Sequence, residues 1–138
     1  FCGAGTILME RSLTAPAQKI IGTDKNEDAL KAAHENTAGR ENIELKKGDA
    51  VSLPFEAGSI SVIITNPPFG KKIEMADDLI PRFIKEAARL LRPGGRLILL
   101  HSDLGKVENS ISSSFEVLKH KDIKLLGESA RIWALKKK

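Results

Sequence analysis

Ile60-Ser-Val-Ile-Ile-Thr65-Asn66-Pro67-Pro68-Phe69-Gly70 contains the reading that decides the fold. Six residues rich in β-branched side chains form a run of strand length. Two consecutive prolines then remove the N–H groups that further pairing would need. The run is therefore expected to be a central strand, Ile60 to Thr65, that stops at Asn66 and delivers a polar side chain and an aromatic ring at its carboxyl end. Working outward, similar short runs alternate with stretches of helical period, the pattern of a mostly parallel α/β sheet with helices on both faces. Upstream the expected elements are a helix from Gly5 to about Arg11, a strand Lys19 to Thr23, a helix Asn26 to Thr37 capped by Asn26, a strand Ile43 to Lys47 and a turn Pro54 to Gly58. Downstream, a long helix Met75 to Leu91 should end in the turn Arg92-Pro93-Gly94-Gly95. A strand Arg96 to His101, a short helix near Leu104 to Ser112, and an antiparallel edge pair, Phe115 to Leu126 and Ala130 to Lys136, complete the pattern.

A length of 138 residues with 41% hydrophobic content suits one domain with a modest core. No run approaches the roughly 20 apolar residues that span a bilayer, and no secretion signal is visible, so the expectation is a cytoplasmic protein with no membrane partner. The single cysteine, Cys2, excludes an internal disulfide framework, and His34, His101 and His120 are too scattered for a metal site, so no metal is expected. Residues 1 to 70 carry 7 basic and 9 acidic side chains (−2) and residues 71 to 138 carry 15 and 9 (+6). Such asymmetry fits a surface that meets a polyanion, and fits solvated helix faces equally well. The chain opens at Phe1 directly in a glycine-rich turn that normally follows a strand, so the first strand of the sheet, and a further domain, are expected to lie upstream.

Three constellations bear on chemistry, each at the end of an expected strand, where open α/β sheets bind ligands. Phe1-Cys-Gly-Ala-Gly-Thr6 lets the backbone approach a ligand closely through Gly3 and Gly5. Asp24 lies near the offset at which a carboxylate accepts ribose hydroxyls, so turn and acid together read as a nucleoside site. The third spaced glycine of dinucleotide sites is absent, which weighs against a nicotinamide cofactor. Asp49, in Lys-Gly-Asp-Ala, is an acceptor suited to an exocyclic amine. The Asn66 amide oxygen and the Pro67 carbonyl can hydrogen-bond an amine on a conjugated ring and turn its lone pair toward an electrophile, with Pro67 and Pro68 holding them fixed. Phe69 offers a face on which an extruded base stacks.

In this order and spacing these motifs resemble class I S-adenosylmethionine-dependent methyltransferases of the amino-nitrogen type, over nearly the whole chain. Cys2, the Gly70-Lys71-Lys72 run and Arg131-Ile-Trp133-Ala-Leu135 are most similar to the catalytic domain of tRNA guanine-N2-methyltransferases that carry a THUMP domain. The resemblance implies a Rossmann-like methyltransferase fold and S-adenosylmethionine held by Cys2, Gly3, Gly5, Thr6, Asp24, Asp49, Ala50 and Asn66. It also implies catalysis at Asn66, Pro67, Pro68 and Phe69, substrate contacts from Phe69, Lys71 and Lys72, and a tRNA gripped by the upstream domain. Related enzymes often carry tyrosine where this chain has Phe69, which keeps the stacking face and drops the hydroxyl. A DNA adenine-N6 methyltransferase, a protein glutamine methyltransferase and a non-catalytic nucleoside-binding domain are the rival readings.

Overall fold

The computed structural model describes residues 1–68, 78–111, 113–125 and 127–138. It divides into two compact units, Phe1–Leu53 and Pro54–Lys138.

In the first unit, helix α1 (Thr6–Thr14) leads to strand β1 (Ile20–Asp24), helix α2 (Glu27–Asn36) and strand β2 (Ile43–Lys47). The strands pair in parallel from Ile20↔Ile43 to Asp24↔Lys47, which brings both carboxyl ends to one edge. Leu8, Ile20, Ala33 and Ala50 are buried. Gly22 sits mid-strand, a position that normally weakens a strand. Here a Cβ would collide with Leu8 Cδ1 and stand 2.8 Å from Leu45 Cδ2, so the missing side chain is what lets α1 and β2 close on β1.

Helix α2 starts where the sequence expects. The Asn26 side chain accepts from the N–H groups of Asp28 (2.9 Å) and Ala29 (3.1 Å), and Glu27 and Asp28 face the positive end of the helix dipole. Asn26→Ala should cost about 1 kcal/mol, read as a lower denaturation midpoint in urea, and Asn26→Asp should restore most of it.

The second unit runs β3 (Ile60–Thr65), α3 (Leu79–Leu90), β4 (Leu91–His101), α4 (Leu104–Ile111), β5 (Phe115–Leu125) and β6 (Glu128–Lys137), in the sheet order β3-β4-β6-β5. β3 and β4 are parallel, and β6 lies antiparallel to both β4 and β5, as an antiparallel edge pair requires. α3 buries Ile80, Phe83, Ile84 and Ala87, one stripe at helical spacing. One sheet face buries Leu97 paired with Leu135 and Leu99 paired with Trp133, and α4 adds Val107 and Ile111 to the core.

One expected turn is taken into a strand. Arg92–Gly95 is not a turn outside the strand. Pairing jumps from Ile60↔Leu91 to Val62↔Arg96, so β4 takes these residues in as an irregularity. Pro93 has no N–H to offer the ladder, and regular pairing resumes at Arg96. Helix α3 is described from Leu79, and the expected start at Met75 lies outside the described residues.

Candidate active site

In the first unit the glycine turn is built against the end of β1. Cys2 N–H donates to the Thr23 carbonyl (2.9 Å), and Gly5 N–H donates to the Cys2 carbonyl (3.0 Å). Gly3 and Gly5 have φ of 52° and 84°, a region that side chains disfavour. A Cβ at Gly3 would meet nothing within 4 Å, so the backbone there borders open space. At Gly5 a Cβ would come within 3.3 Å of Ala33 Cβ. Gly5 thus seats the turn on α2. Thr6 begins α1.

Asp24 closes the turn. Its Oδ2 accepts from Gly3 N–H (2.9 Å) and its Oδ1 from Asn26 N–H (3.0 Å). Burial pushes the carboxyl pKa up. The N–H groups of Asn26, Gly3 and Lys25 oppose that, and the carboxyl stays below its ordinary value. It is therefore an anion at neutral pH, and its two oxygens keep acceptor capacity beyond the backbone donors they hold. Because the folded-state pKa is depressed, Asp24 stabilises the fold above its ordinary pKa. That contribution is lost as pH falls through the folded value. Acid denaturation monitored by circular dichroism should accordingly be less steep below pH 4 in Asp24→Asn than in the wild type.

Gly48 N–H donates to the Asp24 carbonyl (3.0 Å), which ties the end of β2 to the end of β1. Asp49 follows on that edge. It is exposed and shaped by a tight turn in which its Oδ1 accepts from Val51 N–H (3.1 Å), with Ala50 buried beneath. Cys2 is half-buried, and burial raises its thiol pKa. The Asp24 carboxylate adds to the rise, so the thiol is kept in its protonated form at neutral pH.

The structure therefore brings Cys2, Gly3, Gly5, Thr6, Asp24, Asp49 and Ala50 together in the first unit. In the second, Thr65 is buried and paired with Leu99 at the end of β3, and Asn66 is exposed directly beyond it. Pro67 is among the most deeply buried side chains, so it anchors the backbone at the point where Asn66 is presented. Phe69, Gly70, Lys71 and Lys72 lie outside the described residues. Among the described residues no group of three or more His, Cys, Asp or Glu is placed to hold a metal ion.

Two contributors are not apparent from the sequence. Asn36 Nδ2 donates to the Ala4 carbonyl (2.9 Å), which pins the glycine turn from α2, and Gly22 opens the space in which α1 packs. A glycine in mid-strand is the visible signal for the second. Nothing local marks Asn36, whose partner is 32 residues away.

Comparison with known proteins bears on the family and the fold. The crystal structure of TrmN from Thermus thermophilus superimposes with a TM-score of 0.85 at 29% identity, covering 100% of this chain and 42% of that one. A U6 snRNA (guanine-N(2))-methyltransferase, THUMPD2, of Bos taurus is 39% identical over 105 residues, 74% of this chain and 21% of its own length. A demethylmenaquinone methyltransferase of Staphylococcus aureus is 35% identical over 103 residues, 73% of this chain and 40% of its own. The chain thus spans about a fifth of the mammalian relative. The open backbone at Gly3 beside an ionised Asp24 suits the ribose and the amino-acid end of a nucleoside cofactor. The fold is the Rossmann-like fold of the S-adenosylmethionine-dependent methyltransferases, and S-adenosylmethionine is the cofactor it implies. The chain belongs to the methyltransferase small domain family, which it matches over residues 1–124.

Proposed function

We propose that residues 1–138 form one catalytic domain of a longer RNA-modifying enzyme that transfers a methyl group to the exocyclic N2 amine of a guanine. The observation that carries this reading is Asn66, exposed at the carboxyl end of β3 and anchored by the buried Pro67. An amide oxygen there and the adjoining carbonyl are two acceptors for the two hydrogens of an amine on a planar ring, and the prolines keep them from reorienting. When bound, S-adenosylmethionine supplies an electrophilic methyl group. Asp24 holds the ribose and Asp49 accepts from the adenine amine. Asn66 and the Pro67 carbonyl turn the guanine lone pair out of conjugation, while Phe69 stacks on the extruded base and Lys71 and Lys72 meet phosphates. The methylated amine then loses its extra proton to water, so no dedicated base is required.

The acceptor is taken to be tRNA, gripped by an upstream THUMP-type domain in the cytoplasm. A second reading, U6 snRNA, is favoured by the name of the mammalian relative. The demethylmenaquinone methyltransferase shows that likeness over this stretch does not by itself fix the acceptor. Incubating the full-length protein with methyl-labelled S-adenosylmethionine and, separately, tRNA, U6 snRNA, DNA, a glutamine-bearing protein and demethylmenaquinone should label RNA. Label found only on another acceptor would refute the reading. Replacing both Lys71 and Lys72 by alanine should flatten the salt dependence of RNA affinity by about 0.7 to 0.9 for each phosphate that these lysines neutralise, measured by fluorescence anisotropy.

A further inference from the structure

The topology of the second unit gathers more than Asn66 at one edge. β3 and β4 end there together, and because β6 is antiparallel to β4 and β5 to β6, the beginning of β6 and the end of β5 arrive there too. Between this hairpin end and the segment leading from β4 into α4 lies a cleft of about 380 Å³, lined by Ser102, Leu104, Asp122, Ile123, Lys124 and Ser129 among others. None of these residues has a part in the cofactor site or the Asn66 turn.

The chemistry of the lining is specific. Leu104 and Ile123 offer apolar walls, and Ser102 and Ser129 offer hydroxyls that both donate and accept. The Asp122 carboxylate is engaged by Arg131 through two hydrogen bonds. Arg131 also reaches Glu108 on α4 (2.9 Å) and lies 5.7 Å from the centre of the Trp133 ring. This network braces the hairpin against α4 and holds the Asp122 carboxylate below its ordinary pKa, through the Arg131 hydrogen bonds, so its charge is spoken for. Lys124 is different: it carries no ion pair among the described residues.

An apolar slot, two hydroxyls and one uncommitted ammonium match one nucleotide, with base between the walls, sugar or base edge on the hydroxyls, and phosphate on the lysine. The volume is near the lower end of the range for small-molecule sites, enough for one such unit. Position agrees as well. From β3 to the β6–β5 hairpin is two to three strand spacings, about 10–15 Å, so the cleft is within one to three nucleotides' reach of a base held at Asn66.

We propose that the cleft holds a nucleotide flanking the methylated guanine, with Lys124 on its phosphate and Ser102 and Ser129 reading its sugar or base edge. The proposal rests on the RNA reading above. Its test is fluorescence anisotropy of a labelled tRNA transcript on the full-length protein and on Lys124→Ala, Lys124→Arg and Ser129→Trp, with S-adenosylmethionine affinity measured in parallel to show that each variant is folded. Lys124→Ala should weaken RNA binding about fivefold and lower the salt slope by about 0.7 to 0.9. Lys124→Arg should retain both, and Ser129→Trp, which fills the cleft, should weaken binding without changing the slope. RNA affinity and slope unchanged in Lys124→Ala and Ser129→Trp would overturn the cleft proposal alone. A wild-type protein that binds S-adenosylmethionine but no RNA would overturn it together with the RNA reading.

Discussion

Asn66→Ala in the full-length enzyme should lower turnover by about 10² to 10³, the loss expected for one preorganised polar interaction with a reacting group, while leaving S-adenosylmethionine affinity within a few fold. The cause lies in the amine. In the proposed reaction its lone pair is delocalised into the purine ring, so acceptors that rotate it toward the methyl group would act mainly in the transition state, and their loss would fall on kcat more than on binding. Asn66 is exposed, and the buried anchor beside it is Pro67, so the alanine variant keeps the backbone that places the second acceptor. Asn66→Asp separates the roles further: it keeps an oxygen of similar reach but adds a charge. Single-turnover methylation with saturating cofactor is the measurement, and a rate for Asn66→Ala equal to wild type would remove the assigned role.

Asp24→Ala should weaken S-adenosylmethionine binding by about 10² or more, since two hydrogen bonds to a charged acceptor are each worth about 1.5–3 kcal/mol. This substitution also frees the N–H groups of Gly3 and Asn26, which the carboxylate now holds at 2.9 and 3.0 Å, so part of the loss is a loosened turn. Asp24→Asn distinguishes the two. An amide oxygen can satisfy one of those donors but brings no charge, so its affinity should fall between alanine and wild type. Calorimetric titration giving equal affinities for wild type and Asp24→Ala would take Asp24 out of the cofactor site.

Much of the fold is legible in the sequence because its signals are local. Ile43–Lys47 and Ile60–Thr65 are strands at the expected bounds, since short β-branched runs flanked by turn residues leave little freedom in placing them. The Asn26 cap and the antiparallel β5–β6 hairpin follow from residue type and alternation in the same way, whereas the hydrogen bond from Gly3 to Asp24 is seen only in the folded chain. Arg92–Gly95 departs from expectation because Pro and Gly mark a break in pairing but not its extent. Whether the chain leaves the sheet or only bulges depends on β3, some 30 residues earlier. The flanking cleft is invisible in the sequence for a related reason: Ser102, Asp122 and Ser129 mean nothing until the hairpin brings them to one edge. Gly22 stands out as an oddity, but its reason, the approach of Leu8 and Leu45, exists only once α1 and β2 are packed.

Everything proposed for this domain converges on one atom, the N2 amine nitrogen of guanine, and the most direct test is to find where the methyl goes. Full-length enzyme would be given S-adenosylmethionine carrying a deuterated methyl group together with unmodified tRNA or U6 snRNA, and the RNA digested to nucleosides for mass spectrometry. The expected product is N2-methylguanosine bearing the deuterated methyl, absent with Asn66→Ala on the same timescale. Deuterated methyl on an adenine amine or on a ring carbon, with none on guanine N2, would contradict the proposed function.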